Sequence, residues 1–126
     1  MSVLDLPSIS VNDFKVVPSH VGATIHLEFS GTAEGDAPAH IHSLLLRTHS
    51  EAKRLCITEV VVDFRNLEFM NSSSFKSFVA WLGQVEDSKS TDRYKIRFVS
   101  DSNKHWQRRS LAALSCFAVG IVTVDE

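Results

Sequence analysis

The sequence predicts an α/β domain built on a mixed, largely parallel sheet. Three observations predict it. Val60, Val61 and Val62 run together, as in a strand buried on both faces. Strand patterns alternate with amphipathic helix patterns down the rest of the chain, and such repeats imply right-handed crossovers between parallel strands. Ahead of them, two strand patterns flanking a tight turn read as a hairpin, which makes the sheet mixed. The length, 126 residues, suits one domain with a sizeable core (1–126), and no internal repeat, low-complexity tract or linker divides it.

Residues 1–12 hold Pro7 among mixed polar residues and read as an irregular arm. Residues 14–17 read as a short strand closed by Pro18, and residues 20–22 as a turn. Residues 23–30 alternate, with Ile25, Leu27 and Phe29 on one face and Thr24, His26 and Glu28 on the other, as in a half-buried strand. Residues 31–38, GTAEGDAP, carry the clearest loop signal, and Pro38 suits a helix start. Ile41, Leu44, Leu45, Thr48, Ala52 and Leu55 recur at helical spacing, so a helix is expected over 40–54. Residues 59–64 form the valine-rich strand. A second helical stripe follows in Phe75, Phe78, Val79, Leu82 and Val85, with Asn71 or Ser72 as its N-cap. Residues 86–93 read as a polar loop and 94–99 as a strand. Ser102 or Asn103 can cap a third helix with Trp106, Ser110, Ala113, Leu114 and Phe117 inward. Gly120 fits a helix stop or turn, and residues 121–124 a last strand.

Composition excludes several function classes. The net charge of −2 offers no general attraction for nucleic acid, and Lys104, Arg108 and Arg109 read as a solvated helix face. Cys56 and Cys116 sit among apolar neighbours and read as small buried thiols, without disulfide or zinc spacing. The N-terminus lacks a signal-peptide pattern, and no apolar run reaches membrane-spanning length, so direct membrane insertion is not expected and the chain reads as cytoplasmic. His40, His42 and His49 read as surface histidines, because His40 and His42 do not share a helix face and no carboxylate completes a metal site. No GxSxG elbow and no marked base accompanies the serines, His105 lying in another segment, so no catalytic residue and no cofactor is expected.

The chemistry-bearing stretch is VVVDFRNLEFMNSSSFKSFVAWL, residues 60–82. A strand ends in Asp63, a half-apolar segment follows, and Asn71, Ser72, Ser73 and Ser74 then open a helix. Helix starts gather unpaired N–H groups and partial positive charge, which accommodate an anion such as phosphate. From about Phe14 onward, this segment and the element order resemble the STAS domain of anti-sigma factor antagonists and sulphate transporters. Asp63 matches the strand-end Asp of that family, Phe69 and Met70 its apolar pair, Ser72 the serine that kinases phosphorylate in the antagonists, and Ser73 the second Ser/Thr. Asn71 stands where the family usually has Asp, Ser74 replaces Gly, and Phe75 replaces Leu. The Asn71 departure removes one like charge beside Ser72, and Ser74 removes backbone freedom from the turn.

The resemblance implies a STAS-like fold with helices packed mainly on one face of the sheet. It also implies a non-enzymatic regulator of transcription in bacterial partner switching, whose partner is an anti-sigma factor or a serine kinase. Partner-binding residues would be Asp63, Asn71, Ser72, Ser73, Ser74 and Phe75, with phosphorylation at Ser72 or Ser73. Two other readings stand beside it: an accessory STAS subunit of a membrane ABC-type transport complex, and a self-associating scaffold without phosphoregulation. The residues end at Glu126, directly after the last strand, where the antagonists usually carry one more helix. An apolar surface left bare there would invite a homodimer or another partner.

Overall fold

The computed structural model describes residues 4–88 and 93–125. Among these, the strands β1 (Ile9–Val11), β2 (Phe14–Val21), β3 (Thr24–Ala33), β4 (Glu59–Met70), β5 (Lys95–Val99) and β6 (Val122–Asp125) lie side by side in chain order in one sheet. β1, β2 and β3 pair antiparallel, whereas β3, β4, β5 and β6 pair parallel. The helices α1 (Ala37–Arg54), α2 (Ser72–Asp87) and α3 (His105–Phe117) fill the parallel crossovers. Each crossover steps one strand in the same direction with the same hand, so the helices line up on one face, α1 against α2 and α2 against α3.

Alternation along the strands decides which side chains meet those helices. Ile25, Leu27, Phe29, Val60, Val62, Phe64, Ile96 and Phe98 face them and join Ile41, Leu45, Phe78, Leu82, Leu111 and Leu114 in the core. Phe64 sits at its centre, with ring centroids 5.3 Å from Phe29, 5.4 Å from Phe78 and 5.5 Å from Phe98. The first two are edge-to-face pairs, worth roughly 0.5–1.5 kcal/mol each beyond burial. The opposite face of the sheet carries Glu28, Glu59, Asp63, Lys95 and Arg97 and is polar. Val61 is buried there between cross-strand neighbours His26 and Arg97, which completes the two-sided burial expected of the valine run.

Several expectations need correction. The arm is not wholly irregular, because residues 9–11 form the edge strand β1; residues 1–3 lie outside the described residues. Pro18 does not close β2, which continues to Val21. Pairing with β1 ends at Val16, so Pro18 lies on an edge where a missing N–H costs no ladder bond. The 31–38 loop shrinks because Gly31, Thr32 and Ala33 extend β3 against Leu67, Phe69 and Met70. α1 accordingly begins at Ala37, with Pro38 in its first turn. β4 does not stop at Phe64. Its pairing with β3 jumps from Asp63 to Asn66 and again from Leu67 to Phe69, so two bulges carry it on to Met70.

The N-cap position of α3 is Lys104, not Ser102 or Asn103, and no side chain caps the helix there. Its inward residues are Gln107, Leu111 and Leu114, with Trp106 and Ser110 partly covered; Ala113 is exposed and Phe117 is 53% exposed. The phase differs from the apolar stripe because the buried position Gln107 is polar. Both cysteines are exposed. Cys56 follows the end of α1 in a left-handed turn (φ 55°), and it is Ile57 that turns into the core. Of the predicted 86–93 loop, Glu86 and Asp87 belong to α2, and residues 89–92 lie outside the described residues.

Candidate functional site

The serine turn is held at three points. The Asn71 N–H donates to the Ala33 carbonyl at 3.0 Å, fastening the turn to the end of β3. Asn71 Oδ1 accepts from the Ser74 N–H at 2.9 Å, and the Asn71 backbone is extended (φ −74°, ψ 170°), so Asn71 is the N-cap of α2. Its carbonyl accepts from the Phe75 N–H at 3.0 Å, the first full turn of the helix. An amide caps as well as a carboxylate here and leaves the first turn without an acidic side chain.

The serines are not equivalent. Ser72 and Ser73 are exposed, whereas Ser74 is fully buried and its Oγ has no hydrogen-bond partner among the described residues. Ser74 and Phe78 are one turn apart and share the core side of the helix. Phe75 is half-buried beside them, and Phe69, just before the turn, is 46% exposed. Met70, Asn71, Ser72 and Phe75 face Arg109, Ser110 and Ala113 of α3 across an open cleft of about 410 Å³.

Asp63 stands apart from this turn. It lies on the helix-free side of the sheet, where the Arg65 guanidinium donates to its carboxylate at 2.8 Å and the Arg65 N–H at 3.0 Å. Burial raises its pKa, but the hydrogen bonds from Arg65 outweigh burial and the net shift is downward. Because β4 runs on to Met70, Asp63 is not at a strand end as its sequence suggests; the ion pair sits beside the first bulge of β4 and brings no side chain to the serines.

Residues outside the motif shape the site. The fully buried Gln107 of α3 donates from Nε2 to the carbonyls of Phe64 and Leu67, the latter at 2.9 Å, beside the bulges of β4. Its Oε1 accepts from the Asp101 N–H at 2.9 Å. This clamp seats α3 on β4 and thereby sets the far wall of the cleft. A glutamine inside an otherwise apolar helical stripe is the signal that could have revealed it.

Of the histidines, His40, His42 and His105 are exposed, while His49 is partly buried and structural. His49 Nδ1 lies 2.8 Å from the Tyr94 hydroxyl, which also accepts from Trp81 Nε1 at 2.9 Å. A buried tyrosine just before β5 needs polar partners, and α1 and α2 supply them. Among the described residues, no three His, Cys, Asp or Glu side chains gather where they could hold a metal ion, and no helix is long and apolar enough to cross a membrane.

No protein-family model matches the sequence, and no curated protein matches it. The structure, however, is similar to solved ones, among them two anti-sigma factor antagonists. An anti-sigma factor antagonist from Mycobacterium paratuberculosis superimposes with a TM-score of 0.59 at 15% identity, covering 93% of this chain and 90% of that one. The anti-sigma factor antagonist SpoIIAA in its unphosphorylated form gives a TM-score of 0.61 at 13% identity, covering 88% of each chain. The fold is STAS-like. At this level of identity the likeness is one of architecture, so the chemistry of the serine turn rests on the residues described above.

Proposed function

We propose that this chain is a non-enzymatic regulatory module that binds an anti-sigma factor or serine kinase through Asn71, Ser72, Ser73, Phe75 and the first turn of α2. Phosphorylation of Ser72, or alternatively of Ser73, releases the partner. A role of this kind belongs in the cytoplasm. The observation that carries the reading is the pair of exposed hydroxyls on a capped helix start, bordered by Phe69 and Phe75, in a fold shared with anti-sigma factor antagonists.

The chemistry is that of an acceptor. A kinase transfers the γ-phosphoryl group of ATP to the serine Oγ, the hydroxyl proton leaves, and ADP departs. The product adds roughly −1.5 to −2 charges at the start of α2, where the helix itself tolerates them. A partner packed against Phe69 and Phe75 would have to desolvate that phosphate. A complete on–off switch requires a differential of about 5 kcal/mol.

The test is calorimetric titration of candidate anti-sigma kinases against the wild-type, Ser72→Ala and Ser72→Asp proteins. Ser72→Asp is expected to weaken binding at least about tenfold, or ~1.4 kcal/mol, while the melting temperature stays nearly unchanged. Equal affinity of all three proteins would count against the reading. Phosphopeptide mass spectrometry over residues 70–76 of protein from its own cells then distinguishes Ser72 from Ser73.

A further inference from the structure

Among the described residues, Ser72 is accompanied by two cations that no acidic side chain engages. Lys76 is exposed one turn further along α2, the spacing at which an anion and a following cation meet on one helix face. Arg109 reaches the same cleft as Ser72 from α3. Neither makes an ion pair among the described residues. By contrast, Arg65 is held by Asp63, Arg97 by Glu59 and Asp125, and Lys104 by Asp101 and Glu68.

The arrangement also discriminates between neighbours. Arg108, next to Arg109 in sequence, lines a different groove, between α3 and β6, with Leu111 and Val124. Ser73 does not line the Arg109 cleft, and the residue one turn beyond it is Ser77, whose hydroxyl donates to the Ser73 carbonyl at 3.3 Å.

We infer that a phosphate on Ser72 is received by Arg109, with Lys76 beside it, so that phosphorylation ties α2 to α3 across the cleft. The inference rests on the phosphorylation proposed above and deepens it. Arginine suits the task, because its planar fork can hold two phosphate oxygens at once. The bridge places a guanidinium over the cleft that Phe75 borders. Phosphorylation then removes a docking surface by filling it, in addition to adding charge. The same geometry makes Ser72, and not Ser73, the position whose phosphate the domain accommodates.

The experiment installs phosphoserine at position 72 by genetic encoding and follows its phosphorus NMR resonance against pH. An unassisted phosphoserine passes between monoanion and dianion at about pH 6. In the otherwise wild-type protein the midpoint is expected roughly one pH unit lower, because a neighbouring cation favours the dianion. Arg109→Gln should return most of that shift, Arg109→Lys should keep part of it, and Arg108→Gln should leave it intact. Phosphoserine installed at position 73 feels the start of α2 but not Arg109, so its midpoint should not move in Arg109→Gln. An equal midpoint with and without Arg109, or an equal response to loss of Arg108, would overturn the bridge. The measurement needs neither kinase nor partner. A bridge without partner release therefore refutes the switch alone, and partner release with an unshifted midpoint refutes the bridge alone.

Discussion

Gln107 illustrates at the residue scale how a single polar side chain positions an element. Bulges in β4 interrupt its ladder with β3, and nearby carbonyls need a donor that the sheet does not supply. Gln107 Nε2 meets two of them, while its Oε1 takes the Asp101 N–H. Replacement by leucine keeps the volume and removes all three bonds, the two to the Phe64 and Leu67 carbonyls being buried. Gln107→Leu is expected to cost roughly 2–4 kcal/mol, read as a lower urea midpoint at constant slope. A loss below about 1 kcal/mol would mean that water reaches the bulge and replaces the amide. Asp63 and Arg65 form the contrasting case. Their pair is charged and well formed, yet Arg65 is 62% exposed, so it supports this part of β4 only modestly.

At the element scale, the β1–β2 hairpin depends on a glycine outside it. Asn12 turns the hairpin in a left-handed conformation (φ 57°), which asparagine tolerates. The turn packs so closely on β3 that a Cβ on Gly31 would lie 1.9 Å from the Asp13 carbonyl oxygen, and Gly31 itself has φ 83°. Both obstacles are backbone, and neither can swing aside. Gly31→Ala should destabilise the protein by roughly 2–4 kcal/mol. Hydrogen exchange should locate the loss first in the amides of β1 and the end of β3. Protection there equal to wild type would show that the hairpin can lift without penalty. The end of β3 matters for the candidate site, because the Ala33 carbonyl anchors the Asn71 N–H.

At the scale of the whole molecule, the chain ahead of β1 is strapped onto α1 through a buried acid. Glu51 is 8% exposed, accepts from the Arg54 guanidinium at 2.7 Å, and takes the Asp5 N–H at 2.6 Å. The bond from Arg54 is the largest influence on Glu51; it overcomes burial, and the pKa falls from 4.5 to about 2. The Asp63 pKa is lowered as well. Below its ordinary pKa the unfolded chain binds a proton that the folded chain still refuses, so the unfolded state gains protons as pH falls from about 4.5 to 2. The contribution of Glu51 is therefore fully present above that window and is lost as acid passes through it. Urea midpoints at about pH 7 and about pH 3 should differ less in Glu51→Gln than in wild type. An identical acid loss in both proteins would move the effect to other carboxylates.

Local pattern made a large part of this molecule legible. The valine run reported a strand buried on both faces, and the alternation of Ile25, Leu27 and Phe29 reported the side that meets the helices. Asn71 and Ser72 before a helical stripe were the two cap positions the sequence offered, and Asn71 is the one that caps α2, because capping depends on residues three apart in the chain. What local pattern could not report depends on partners distant in sequence. β1 is a strand because β2 lies beside it, and β4 outruns its apolar stretch because β3 continues to pair with it. The exposure of Cys56 and Cys116 and the inward turn of Gln107 follow from which surface each element packs against. The serine cluster, its helix start and its STAS-like setting are thus properties of the sequence alone. Which serines face solvent, and the cleft that brings Arg109 to Ser72, were decided by tertiary structure, because only packing sets the rotation of α2 and seats α3 beside it.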